Sequence, residues 1–99
     1  MKADFIKMDI EGFEEKALKG MRNLLQRSRT VKILTEFYPK YLILAGTKPE
    51  DYLKQLSGLG FKVYDLHGHD VFSRPASVKM LLERYTFENN HLTNLLCLR

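Results

Sequence analysis

Residues 5 to 20 read FIKMDIEGFEEKALKG, and the order of residue types in this stretch decides the fold. Phe5, Ile6, Met8 and Ile10 make its first part mostly apolar, which suits a short strand buried on both faces of a parallel sheet. Gly12 ends that run. From Phe13 onward the apolar residues fall at 13, 17, 18, 21, 24 and 25, the spacing of a helix with one buried stripe. Glu14 and Glu15 open this helix, while Arg22, Arg27 and Arg29 close it, so its charges complement the macrodipole. The stretch therefore predicts strand, turn and helix, with Asp9 and Glu11 in the turn. Gly20, inside the helical pattern, costs about 1 kcal/mol relative to alanine, and predicts a close approach of helix to sheet.

Working outward, VKILTEF at 31 to 37 reads as a second strand that stops at Tyr38-Pro39. The interval between the two strands, filled by a helix, has the length of a parallel βαβ crossover. TKPEDYLKQLSGLG, residues 47 to 60, restarts a helix: Thr47 and Glu50 stand at capping-box spacing, Pro49 fits the first turn, and Gly58 with Gly60 supplies the stop. FKVYDL at 61 to 66 is a third strand, HGHDVFSRPASVK at 67 to 79 has the composition of a loop, and HLTNLLCLR at 91 to 99 reads as a last strand. Residues 80 to 88 fit no single element type. The alternation predicts an α/β domain with three layers.

Ninety-nine residues make one domain at most, here 1 to 99, and 44% hydrophobic with 28% charged residues places the chain among globular proteins. The net charge of +4 is spread from Lys2 to Arg99 without a dense tract, which argues against nucleic acid as a partner. Cys97 is the single cysteine, so no internal disulfide forms, and its apolar neighbours make it a small buried hydrophobe rather than a reactive thiol. A reducing compartment follows. With no apolar signal core and no apolar run near the roughly twenty residues that span a bilayer, the expectation is a soluble, cytoplasmic protein without a membrane partner.

Residues 5 to 20 also resemble the core motif of the FkbM-type methyltransferases, a branch of the S-adenosylmethionine-dependent methyltransferases, in which an apolar strand ends in Lys-x-Asp-x-Glu-Gly. Here these are Lys7, Asp9, Glu11 and Gly12, followed by Glu14, Leu18, Lys19 and Gly20. The ILTEFYP and GFKVYDL segments and the terminal HLTNLLCLR extend the similarity over nearly the whole chain. The resemblance implies a partial Rossmann-like methyltransferase sheet, mostly parallel with a final antiparallel strand. It also implies transfer of a methyl group from S-adenosylmethionine to a hydroxyl of a small molecule or saccharide. The family's glycine-rich turn, which cradles the cofactor, is absent, because no G-x-G-x-x-G occurs. The chain thus resembles the C-terminal half of the catalytic domain and is expected to be inactive alone. Its first strand becomes an edge, which invites a homodimer, a complementing N-terminal half, or, if the chain is a non-catalytic interaction module, another protein.

If the first two strands are parallel neighbours, Asp9, Glu11 and Glu36 converge on one rim at their carboxyl ends, where open α/β sheets bind ligands. Asp9 or Glu11 then serves as a base for the acceptor hydroxyl, and Glu36 with Phe37, Tyr38 and Pro39 lines the acceptor pocket. The competing structural reading has Glu11 and Glu14 complementing the helix N-terminus while Asp9 accepts the amides of the turn. Lys7, unusual in a buried strand, is expected to pair with a carboxylate. His67, His69 and Asp70 have no further spaced ligand beside them, so they read as exposed loop residues and no metal site is assigned.

Overall fold

Met8 lies opposite Thr35, and Phe5, Ile6 and Lys7 lie opposite Lys32, Ile33 and Leu34, so the first two strands run parallel and in register. The computed structural model describes residues 4–68 and 74–99. In chain order its elements are β1 (Phe5–Met8), α1 (Glu14–Gly20), α2 (Arg22–Arg27), β2 (Lys32–Phe37), α3 (Pro39–Leu44), α4 (Pro49–Gly58), β3 (Lys62–Asp65), α5 (Val78–Arg84) and β4 (Thr93–Leu98). The sheet has the order β1-β2-β4-β3. β4 is antiparallel to both of its neighbours, which leaves β1, β2 and β3 pointing one way. The fold is α/β, but the sheet is mixed: only the β1–β2 pair is parallel, fewer than the mostly parallel sheet expected from the sequence.

Burial alternates along every strand. Ile33, Thr35 and Phe37 of β2, Val63 and Asp65 of β3, and Thr93, Leu95 and Cys97 of β4 are buried. Together with Leu18, Leu25, Leu42, Tyr52, Leu53, Leu56 and Leu81 from the helices, the apolar members form one core. On the opposite face Lys7, Lys32 and Lys62 are exposed, and Leu34, Glu36, Tyr64, Asn94, Leu96 and Leu98 are half-buried. The described residues therefore make two layers, not the three expected. The handedness of crossovers explains this. Right-handed connections that step the same way across a sheet, from β1 to β2 and on toward β3, place their helices on the same face. Covering the other face takes crossovers stepping the opposite way, beyond β1.

Several boundaries moved. α1 ends at Gly20 and α2 begins at Arg22, so one expected helix is two. A Cβ at Gly20 would meet nothing within 4 Å, so no close approach to the sheet explains that glycine. α3 was not expected: Pro39 opens it at a first-turn position, where its fixed φ and missing N–H do no harm, and Leu42 anchors it in the core. Lys48, not Thr47, is the N-cap of α4, with Pro49 in the first turn, and Thr47 is buried just before it. Ser77 caps α5 by accepting from the Met80 N–H at 3.1 Å, which places residues 78 to 84 in a helix.

The end of β4 is fastened to two helices. The Arg99 guanidinium donates to the carbonyls of Leu59 at 2.7 Å, Ser28 at 3.1 Å and Arg29 at 3.2 Å, and also to that of Leu25. It lies 4.5 Å from the centroid of the Phe61 ring. One cation thereby satisfies carbonyls left over where α2 and α4 end. Cys97 is fully buried, and burial pushes its thiol up to about 12, so it packs as an inert hydrophobe, as its neighbours indicated. No described helix is long and apolar enough to cross a membrane.

Candidate active site

The parallel register decides where the carboxylates go. One residue past the Met8–Thr35 pair, the chain leaves β1 at Asp9 while β2 reaches Glu36, so both stand at the carboxyl ends of neighbouring strands. Asp9 and Glu11 are exposed and Glu36 is half-buried. Burial first, and then repulsion from Asp9, Glu14 and Glu11, holds the Glu36 carboxyl above the ordinary carboxylate range. The three candidate residues therefore share one rim.

The turn between β1 and α1 is held in an uncommon shape. Glu11 has φ 54° and Gly12 φ 100°, two left-handed residues in succession, a conformation that costs a residue with a Cβ roughly 1–2 kcal/mol. Glu14 stabilises it. Its buried carboxylate accepts the Gly12 N–H at 2.9 Å and the Ile10 N–H at 3.2 Å. The turn's amides thus go to Glu14 and not to Asp9, which leaves the Asp9 carboxylate outside that arrangement. Gly12 also permits contact with α3, since a Cβ there would lie 2.2 Å from the Tyr41 carbonyl oxygen.

Of the residues following Glu36, Phe37 points into the core, where its ring meets Tyr85 edge-on at 6.2 Å, and Pro39 is buried. Neither lines a pocket at the rim. Tyr38 is half-buried, lies against Tyr41 with the rings tilted by 40° and their centroids 4.5 Å apart, and donates its hydroxyl to Asn90 Oδ1. Asn94 sits opposite Glu36 in the β2–β4 register, which puts the two on the same, uncovered face of the sheet. Lys7 is exposed on the edge strand and forms no ion pair with a described carboxylate, so the expected pairing is not made.

At the end of β3 a different carboxylate is fully occupied. Asp65 accepts from the Thr93 hydroxyl at 2.6 Å, the Tyr85 hydroxyl at 2.7 Å, the His67 N–H at 3.0 Å and Arg84 at 3.2 Å. Burial raises its carboxyl, but these donors outweigh that effect and leave it below the ordinary range. Its work is structural. The His67 side chain is exposed, whereas His69 and Asp70 lie outside the described residues. Among the described residues no three His, Cys, Asp or Glu side chains are placed so that they could hold a metal ion.

Over residues 2–63 the sequence matches the methyltransferase FkbM domain, well over half of the chain. The chain belongs to the FkbM methyltransferase family. No curated protein and no solved structure matches it.

The FkbM-matching span carries Asp9, Glu11, Gly12, Glu14, Glu36, Tyr38 and Tyr41, which is the whole rim except Asn90 and Asn94. The sequence held a signal for Asn94, a polar residue interrupting the apolar run of the last strand. It held none for Asn90 or Tyr41, because their places depend on loop and helix positions set by tertiary packing. In this FkbM-family chain the rim offers carboxylate oxygens that accept hydrogen bonds, beside an aromatic ledge formed by Tyr38 and Tyr41.

Proposed function

We propose that these residues form the C-terminal half of a Rossmann-like methyltransferase domain, which transfers a methyl group from S-adenosylmethionine to a hydroxyl of a small molecule or saccharide. One observation carries this reading: within the FkbM-matching span, the parallel β1–β2 register brings Asp9 and Glu36 to a common rim. The cofactor fits these residues in part. The acidic rim of Asp9, Glu11 and Glu36 complements the positive charge of a sulfonium, whereas no glycine-rich turn for the rest of the cofactor occurs in the sequence. When bound, S-adenosylmethionine supplies an electrophilic methyl group. Glu36, its carboxyl held above the ordinary range, is a stronger base than a free carboxylate and takes the proton of the acceptor hydroxyl on an Oε atom. Asp9 and Glu11 sustain that basicity by their charge and offer acceptors that orient the hydroxyl.

The same reading gives the open edge of β1 and the uncovered sheet face an occupant. Among the described residues nothing pairs with the outer side of β1. An N-terminal half adds strands there, and the opposite-stepping crossovers that come with them cover Leu34, Leu96 and Leu98. Without that half, a second copy of the chain is the partner for the edge.

The test is transfer of a radiolabelled methyl group to a panel of hydroxylated acceptors by the longest natural polypeptide that contains these residues. Glu36→Gln is expected to lower kcat about a hundredfold or more, with the circular dichroism spectrum unchanged. Undiminished turnover in that variant contradicts the assignment of the base.

A further inference from the structure

Among the described residues, five of the eight large apolar side chains that are exposed fall in two short segments: Ile10 and Phe13, and Tyr41, Ile43 and Leu44. Such clustering marks a binding surface more than scattered apolar residues do. The segments meet where Gly12 packs against the Tyr41 carbonyl. Between them runs an open groove of about 210 Å³, lined by Glu11, Phe13, Tyr41, Leu44 and Ala45.

The chemistry of the lining restricts the ligand. Phe13, Leu44, Ala45 and the ring of Tyr41 offer apolar contact. The charged residue in the lining is Glu11, exposed on a left-handed turn, and its carboxylate makes no hydrogen bond to a described residue. Lys16, at the groove's margin, is already engaged: its Nζ donates to the Ala45 carbonyl at 3.1 Å and lies 4.8 Å from the centroid of the Phe13 ring. A ligand here must therefore present an apolar face and donate hydrogen bonds. The volume lies below the roughly 300–1,000 Å³ of a drug-sized pocket, which is room for one ring rather than a chain of them. Glu11 belongs to both groove and rim, and the Tyr41 ring touches that of Tyr38, two residues past Glu36. The groove thus opens onto the carboxylates.

We propose that this groove is the acceptor subsite and takes a single sugar ring, its C–H face against Phe13 and Tyr41 and one hydroxyl donated to Glu11. The word acceptor rests on the methyl-transfer reading; binding of the ring does not, because it needs neither cofactor nor turnover.

The experiment is a ¹H–¹⁵N NMR titration of the 99-residue chain with methyl β-glucopyranoside, with glycerol and cyclohexylamine as counter-probes. Glycerol has hydroxyls but no ring face, and cyclohexylamine has a ring and an ammonium. Expected are saturable shifts at the amides of residues 11 to 13 and 41 to 45 with the glucoside and not with glycerol. Tyr41→Ala and, as a variant outside the α3 packing, Phe13→Ala are each expected to weaken binding several-fold to about tenfold, and Glu11→Gln to weaken it with the fold retained. The proposal is overturned by shifts that do not saturate or that map elsewhere, by unchanged affinity in both aromatic variants, or by saturation with cyclohexylamine alone. Glucoside binding without methyl transfer in the longer polypeptide would sink the enzymatic reading and spare the groove. Transfer without binding would do the reverse.

Discussion

Alanine at position 12 is expected to lower the melting temperature by about 10 °C or more, the largest effect of alanine at any of the six glycines. Two costs combine. A Cβ at φ 100° costs roughly 1–2 kcal/mol. Its contact at 2.2 Å is with the Tyr41 backbone carbonyl, not a side chain that can swing aside, so α3 must shift or the turn must re-form, at about 1–3 kcal/mol more. For a domain of this size each 1 kcal/mol moves the midpoint by about 4–8 °C. Two other glycines serve as controls. Gly46 also has a positive φ, 89°, but open space where its Cβ would go, so its alanine variant bears only the conformational cost. Gly20 has neither constraint, and alanine there should be neutral or slightly stabilising. Thermal unfolding followed by circular dichroism ranks the three. A Gly12→Ala variant no less stable than Gly46→Ala would remove the close approach from the account, and with it the reason that α3 and the carboxylate turn sit together.

Asp65→Ala is expected to destabilise the chain by about 3 kcal/mol, because a buried acceptor serving several donors is lost at once. The buried Thr93 hydroxyl and the Tyr85 hydroxyl lose their acceptor, and so does the His67 N–H. Arg84, with 42% of its side chain exposed, recovers part of its loss from water. Asp65→Asn, which keeps one acceptor oxygen, should fall between. The two also differ from the parent in their pH dependence. The folded carboxyl of Asp65 lies below its unfolded value, so the folded state binds that proton less tightly. The stabilisation is complete above the unfolded range, near pH 4, and is lost as pH falls through the lower folded value. Urea unfolding at a series of pH values should therefore show a parent-minus-variant difference that is flat from neutral pH to about pH 5 and shrinks in acid. A difference that grows in acid would mean that Asp65 is not held ionised by its donors.

Much of this architecture was legible in the residues. The apolar run before Asp9, the helical spacing after Phe13, and Pro49 with Gly58 and Gly60 at the two ends of α4 are local patterns, and they yielded the elements. Glu36 was legible as an acid at a strand end because the strand itself was. What failed was set by the fold as a whole. Alternating strands and helices indicate that helices cover a sheet but not which face they cover, and here same-direction crossovers left Leu34, Leu96 and Leu98 half-exposed. Thr47 had the spacing of a cap, but α4 starts one residue later, with Lys48 at the N-cap and Thr47 buried. The role of Asp65 depends on Tyr85 and Thr93, 20 and 28 residues away, and nothing in FKVYDL announces them. Glu14 read as a helix-end charge, whereas its buried carboxylate holds the preceding turn.

Asp9, Glu11 and Glu36 crowd one rim because β1 and β2 run parallel, and ¹³C NMR titration of the Glu36 side-chain carboxyl reads that crowding. The expected midpoint lies above the ordinary carboxylate value and moves down when Asp9→Asn or Glu11→Gln removes a neighbouring charge. An ordinary midpoint that neither substitution moves would contradict it.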